Sequence, residues 1–246
     1  MKFASIVPVE YDPAKFSDYH LILAHEVLEN KTIREYFQGL RGHTIILDNS
    51  VIELGSALDQ KMIDEASKMF PDAYLVLPDE LRDMDKTVWL VNQYVFNNPN
   101  LDKVMVVHQG GTDVEWIQCL EYLIQTVKPF AKEILVGIGR LYEDYPGGRE
   151  HLYNLAMMSG TWTGNFHLLG IQHRFNEVYW AIHKPNILGV DSSLPGRAAL
   201  LGQFSDDVLD LRKAPDLTSY VKEIHDAVQQ QMKYVSDVAA GVLIGA

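Results

Sequence analysis

Short runs of apolar, mostly β-branched residues recur along the chain, and between them apolar side chains return at every third or fourth position. The clearest runs are HTIIL (43–47), AYLVL (73–77), KVMVV (103–107), EILVG (133–137), FHLLG (166–170) and NILGV (186–190). Each is apolar throughout rather than alternating, as a parallel strand covered on both faces requires. The stretches 58–70, 85–96, 113–130 and 149–158 carry the helical period. Thr112 with Asp113, and Asp59 in the run Ala57, Leu58, Asp59, supply capping oxygens near two helix starts. Pro71, Pro99 and Pro129 fall where helices should stop, because proline lacks the N–H and clashes with the preceding turn. Successive runs lie close to 30 residues apart over much of the chain, the length of a βαβ unit.

Two more strands are expected near the start, ASIVP (4–8) and HLILA (20–24), which brings the count to eight, the number a closed barrel needs. The segment 10–18 is short for a crossover, so the first unit is expected to be degenerate. The tail from 195 to 246 reads as helical, above all 217–238, with an apolar stripe of Tyr220, Ile224, Val228, Met232 and Val235. The fold expected is a single α/β domain over 1–246, a (β/α)8 TIM barrel with a helical C-terminal tail. An open doubly wound sheet is the alternative. No GxGxxG follows the first strand and no Walker A sequence occurs, so neither a dinucleotide nor a P-loop site has support.

Charge narrows the partners. With 33 acidic against 21 basic side chains, a formal charge of -12 repels polyanions at long range, so a generic nucleic-acid-binding module is disfavoured. A nucleotide-processing pocket is not. Cys119, the only cysteine, leaves no intrachain disulfide and no multi-thiolate zinc knuckle, and fits a reducing compartment. The opening MKFASIVPVEYDP is apolar for too few residues to act as a signal peptide, and no run approaches the ~20 apolar residues that cross a bilayer. A cytoplasmic protein without membrane contact is expected.

In barrels and open parallel sheets, chemistry gathers beyond the C-terminal ends of the strands. Here those positions read Asp48-Asn49-Ser50, Asp79-Glu80, His108-Gln109-Gly110-Gly111, Gly137-Ile138-Gly139-Arg140, Gln172-His173 and Asp191-Ser192-Ser193. One such Asp is as readily a helix cap as a catalytic group. Three together point to a site, either a metal centre or glycosidic chemistry. A metal would recruit His108, His167 or His173 with Asp48 and Asp191, but no HExxH or paired-histidine spacing is present. His167, inside a strand pattern, reads rather as a satisfied interior residue. Glycosidic chemistry needs two carboxylates, one at the anomeric carbon and one moving protons.

On these segments the chain resembles the tRNA-guanine transglycosylase superfamily, most closely its short, zinc-less relatives from phages and bacteria that place 7-deazaguanines in DNA. LGVDSSLPGR matches the family's nucleophile pattern D-x-x-x-P-T-R through Asp191, Pro195 and Arg197, with Gly196 in place of threonine. LDNSVIELG is similar to T-D-S-G-G-F, with Val51 and Ile52 where the glycines stand, and implies a proton-transfer role for Asp48 beside Asn49 and Ser50. PDELRD is similar to the base-reading F-D-E-C and implies Asp79 and Glu80; HQGG and VGIG imply Gln109, Gly110, Gly137 and Gly139 around the base. HLLGI (167–171) resembles the segment before the nucleophile strand. The family's zinc site, C-x-C-x-x-C…H, has no counterpart, so no metal and no other cofactor is implied.

The resemblance implies exchange of guanine for a preQ0-like 7-deazaguanine, as in queuosine-related chemistry, through a covalent Asp191 intermediate. The acidic body favours DNA over tRNA, or an accessory protein that supplies the polyanion contact. Arg140, Arg149, Arg174 and Arg197 are candidate phosphate contacts, and Tyr142, Tyr145 and Trp162 either stack a base or pack helices. Two rivals stay open: an N-glycosidase acting on nucleosides or DNA with water as acceptor, and a non-catalytic subunit that only binds a deazapurine.

Overall fold

The computed structural model describes residues 1–56, 58–171, 176–202 and 217–242. Eight strands form one sheet: β1 (Lys2–Ser5), β2 (Tyr19–Leu23), β3 (Thr44–Asp48), β4 (Tyr74–Val76), β5 (Leu101–Val107), β6 (Ala131–Ile138), β7 (Phe166–Leu168) and β8 (Ile187–Ser192). Their order is β1-β8-β7-β6-β5-β4-β3-β2. Helices alternate with them: α1 (Ala24–Glu29), α2 (Lys31–Gln38), α3 (Val51–Leu54), α4 (Gln60–Met69), α5 (Met84–Asn97), α6 (Asp113–Val127), α7 (Gly148–Ser159), α8 (Asn176–Ala181), α9 (Leu194–Leu201) and α10 (His225–Ala239). Eight parallel strands in this consecutive order, with helices between, make the chain a (β/α)8 barrel. A doubly wound sheet would reverse its strand order at a switch point, and this one does not.

The element boundaries follow local chemistry. Thr112 accepts from the Glu115 N–H at the start of α6, and Asp59 from the Lys61 N–H at the start of α4. Both are the expected caps. The helices α4, α5 and α6 end two residues before Pro71, Pro99 and Pro129 respectively. Between β1 and β2 stand only two 3-10 turns, Val9–Tyr11 and Pro13–Lys15, so the first unit is indeed degenerate. β1 lies earlier than the expected 4–8, because Pro8 has no N–H to give a sheet and instead precedes the first 3-10 turn.

By its internal contacts the chain falls into two compact units, Met1–Leu21 with His167–Ala246, and Ile22–Phe166. In the first, β1 pairs in parallel with β8, Ala4 opposite Asp191. Its core joins Tyr11, Ala199, Leu217, Val228 and Met232. The tail helix starts at His225, later than the expected 217. The Tyr11 hydroxyl accepts from the Val221 N–H at 2.8 Å and donates to its carbonyl at 3.0 Å, and Val221 leads into the 3-10 turn Lys222–Ile224 that precedes the helix. Val228, Met232 and Val235 of the stripe are buried, whereas Tyr220 is exposed.

In the second unit β3, β4, β5 and β6 pair in parallel, with Leu47 opposite Leu75, Leu75 opposite Val104 and Val107 opposite Gly137. The register brings the polar residues after these strands to one end. The helix α6 buries Trp116, Cys119, Leu120, Leu123 and Val127. Among the described residues no helix is long and apolar enough to cross a membrane.

Candidate active site

In the second unit, Asp79 is held between two side-chain amides. Asn49 Nδ2 donates to its Oδ1 at 2.7 Å and Gln109 Nε2 to its Oδ2 at 2.6 Å. Backbone groups fix both amide orientations. Asn49 Oδ1 accepts from the Val51 N–H while its Nδ2 also donates to the Leu77 carbonyl. Gln109 Oε1 accepts from the Arg82 N–H at 2.9 Å and from the Tyr142 hydroxyl. A main-chain N–H can only donate, so both amides must turn their NH2 groups to Asp79. Burial nevertheless pushes the Asp79 carboxyl up to about 6, against those two hydrogen bonds, which favour the anion, and with the Glu80 charge adding to the rise. A carboxylate has about four lone-pair sites, more than the two side-chain amides occupy.

The supports of this group are themselves buried. Gln109 N–H donates to the Cys119 thiol at 3.3 Å, and burial raises that thiol to about 12, so it stays neutral. The Tyr142 hydroxyl accepts from the Gly110 N–H at 2.9 Å and lies 3.0 Å from the Gly110 carbonyl. Gly110 is needed for packing: a Cβ there would lie 2.6 Å from the Trp116 backbone nitrogen. At Gly139 a Cβ would meet only the Tyr142 ring and Val107 at ordinary distance, and its carbonyl accepts from the Tyr142 N–H at 3.2 Å. Gly137 is buried within β6. Glu80 is half-buried, with its N–H on Thr87 Oγ1 at 2.9 Å.

Asp48 ends β3, and its Oδ1 accepts from the Ser50 N–H at 2.7 Å. Ser50 has φ 61 and a buried hydroxyl with no partner. The Asp48–Ser50 bond turns the chain after β3 and does not cap α3, whose N-cap is Ser50 and which has no side-chain cap. His108 next door to Gln109 is fully buried, packed on Trp116 with ring centroids 3.8 Å apart, and neither ring nitrogen has a partner among the described residues. Burial drives its pKa down to about 3.

In the first unit, Asp191 sits near the end of β8 and is 3% exposed. Its Oδ1 lies 2.7 Å from His167 Nε2 and accepts from the Gly170 N–H at 3.0 Å. The opposite ring nitrogen, Nδ1, lies 2.7 Å from the Tyr19 hydroxyl. Oδ2 carries no hydrogen bond among the described residues. Ser192, the next residue, bonds the Ile171 carbonyl and caps Leu194 at the start of α9. Gly196, where the resembling family carries threonine, is pressed against Leu217: a Cβ would come within 2.9 Å of the Leu217 Cβ. Arg197 is half-buried, with its N–H on the Ser193 carbonyl.

Several expectations change. Arg149 is no phosphate contact: it is wholly buried and donates to the Ile138 carbonyl. Tyr142 packs rather than stacks a base, since it is buried; the half-buried Trp162 ring lies against Gly164 with its Nε1 on the Asn165 carbonyl. Tyr145 binds Asp113. Gln172, His173 and Arg174 lie outside the described residues. Among the described residues no three His, Cys, Asp or Glu side chains are grouped to hold a metal ion. His167 is interior and satisfied, as expected, but its partner is the foremost candidate nucleophile. Tyr142 was expected to stack a base or pack helices rather than to brace Gln109, and Tyr19 had no signal in the sequence beyond an aromatic at the start of an apolar run.

Fold and groups together define a (β/α)8 barrel protein with two buried carboxyls, each gripped by hydrogen-bond donors at the end of its strand. Compared with known proteins, the chain matches no family model and no curated sequence.

Proposed function

We propose that the protein exchanges a base at an N-glycosidic bond, replacing guanine in DNA with a preQ0-like 7-deazaguanine, as a pentosyltransferase of the tRNA-guanine transglycosylase type. The observation that carries this reading is Asp191. It is a buried carboxylate with one oxygen doubly held and the other without a partner among the described residues, the arrangement a covalent nucleophile needs. Asp191 Oδ2 attacks C1′ from the face opposite the guanine and forms a glycosyl ester. Asp48 carries the proton to the departing base and takes one from the incoming base. Two displacements give retention at C1′.

Asp79 reads the base edge. Its remaining acceptor capacity suits the adjacent N1–H and amino donors of guanine, with Glu80, Asn49, Ser50, Gln109 and the backbone at Gly110, Gly137 and Gly139 around it. Arg197 serves the phosphate side. A base read in this way has to leave the duplex stack, which is easiest in single-stranded or distorted DNA. The acidic charge argues for DNA over tRNA and for an accessory protein as the polyanion contact, in the cytoplasm, with no cofactor.

The test is incubation with labelled guanine or preQ0 and separate DNA and tRNA substrates, followed by denaturing analysis. We expect incorporation into DNA that Asp191→Asn and Asp191→Ala abolish and Asp48→Ala lowers by about 100-fold, within the range typical of proton-transfer groups. Unchanged exchange in Asp191→Ala sinks the assignment. Release of guanine without incorporation would instead identify a hydrolase, and binding of guanine with neither outcome a non-catalytic subunit.

A further inference from the structure

Tyr19, His167 and Asp191 form a buried hydrogen-bonded chain, with both hydrogen bonds to the imidazole at 2.7 Å. The direction of the chain follows from its end. The carboxylate accepts, so His167 carries a proton on Nε2, and a neutral ring then offers Nδ1 as acceptor to the Tyr19 hydroxyl. The Tyr19 ring is fixed in turn by Gly189, where a Cβ would lie 2.5 Å from its edge. An interior histidine needs only satisfied nitrogens. This one spends its N–H on the same oxygen that the Gly170 N–H already holds, leaving the other oxygen unpartnered.

We infer that His167 is a positioning residue, selecting Oδ2 of Asp191 as the attacking atom and stabilising the carboxylate when it departs; this rests on the base-exchange reading above. In the first displacement the Oδ2–C1′ bond forms as C1′–N9 breaks. The electron pair goes to N9 of guanine, which takes its proton from Asp48. Oδ1 becomes the ester carbonyl and keeps its two donors. In the second, N9 of the incoming 7-deazaguanine passes its proton to Asp48 and bonds C1′, and the Oδ2–C1′ pair returns to Asp191. The donors on Oδ1 bind the anion more tightly than the ester, because hydrogen bonds to a charged acceptor are the stronger ones. They therefore make Asp191 a weaker nucleophile and a better leaving group. Loss of His167 should slow departure and let the covalent adduct accumulate.

The experiment compares wild type with His167→Phe, His167→Gln and Tyr19→Phe, using a guanine-containing DNA oligonucleotide and labelled preQ0. Turnover and the fraction of protein trapped as a denaturation-resistant adduct are both measured. We expect His167→Phe to lower turnover by about 10- to 100-fold, the equivalent of one charge-assisted hydrogen bond, while the adduct fraction rises. His167→Gln, which retains an N–H donor, should restore part of the turnover, and Tyr19→Phe should shift both quantities the same way but less. A parallel fall of adduct and turnover in folded His167→Phe, or no change in either, overturns the inference while leaving Asp191 as nucleophile. Exchange that survives Asp191→Asn overturns the parent reading and this one with it. Nitrogen-15 NMR of the free wild-type protein supplies a check without substrate: the His167 ring proton belongs on Nε2, and finding it on Nδ1 refutes the chain even if every variant misfolds.

Discussion

Asp79 and His108 are buried in the same unit with opposite consequences for acid stability. The Asp79 carboxyl, raised to about 6, binds protons more readily in the fold than in the unfolded chain, so its contribution falls as pH rises from about 4 through 6. The His108 imidazole, lowered to about 3, binds them less readily, so stability is lost as pH falls from its ordinary value near 6.5 toward 3. In wild type the two slopes offset each other in part. His108→Phe keeps a flat ring against Trp116 and removes two buried nitrogens without partners. The variant should be as stable as wild type or more so by about 1 kcal/mol at neutral pH, and its advantage should grow as pH drops below about 6.5. Denaturant midpoints of both proteins across that range measure it; a constant difference would remove His108 from the acid response. At this scale the sequence exposed the carboxylates and the amides on Asp79, but not what holds Asp191. Asp79, Asn49 and Gln109 were legible because strand-end positions are a short list. The bonds from His167 to Asp191 and Tyr19 span 24 and 148 residues, and no local pattern encodes such a pairing.

The glycines after the strands separate into those the elements need and those they do not. At Gly110 the first turn of α6 comes so close that a Cβ would collide with backbone atoms of Glu115 and Trp116 at 2.9 Å or less. Gly110→Ala should therefore destabilise by about 1–3 kcal/mol as an overpacked site, and loosen Gln109 through Tyr142. Gly139→Ala meets only ordinary contacts and should leave the melting temperature nearly unchanged while weakening guanine binding, as read by calorimetry. Equal loss of stability in both variants would refute the distinction. The same elements show what periodicity can and cannot tell. Seven of the eight strands lie on the apolar runs and β1 is displaced two residues earlier, since a strand covered on both faces has no polar position to blur it. The start of α10 was misplaced because the 217–221 segment keeps helical spacing while the distant Tyr11 hydroxyl claims the backbone of Val221.

For the whole molecule, strand count and order were legible from the 30-residue rhythm, whereas substrate class was not, because charge is a sum and binding depends on where it sits. A formal charge of -12 sets a long-range field that opposes DNA at every orientation except a local basic one. Of the arginines proposed for phosphate, Arg149 is withdrawn into the interior, which thins that local patch. Few phosphates can then be neutralised, and few counterions released, when DNA binds. Raising salt from about 50 to about 200 mM should leave kcat/KM on a DNA oligonucleotide unchanged or increase it by screening the repulsion, whereas proteins with six or more phosphate contacts lose about 1,000-fold or more in affinity over that interval. Adding an accessory protein that carries the polyanion contact should restore the steep inverse dependence. A steep fall with the chain alone would mean that a dense basic surface exists despite the net charge, and the preference for a partner-assisted DNA substrate would have to be given up.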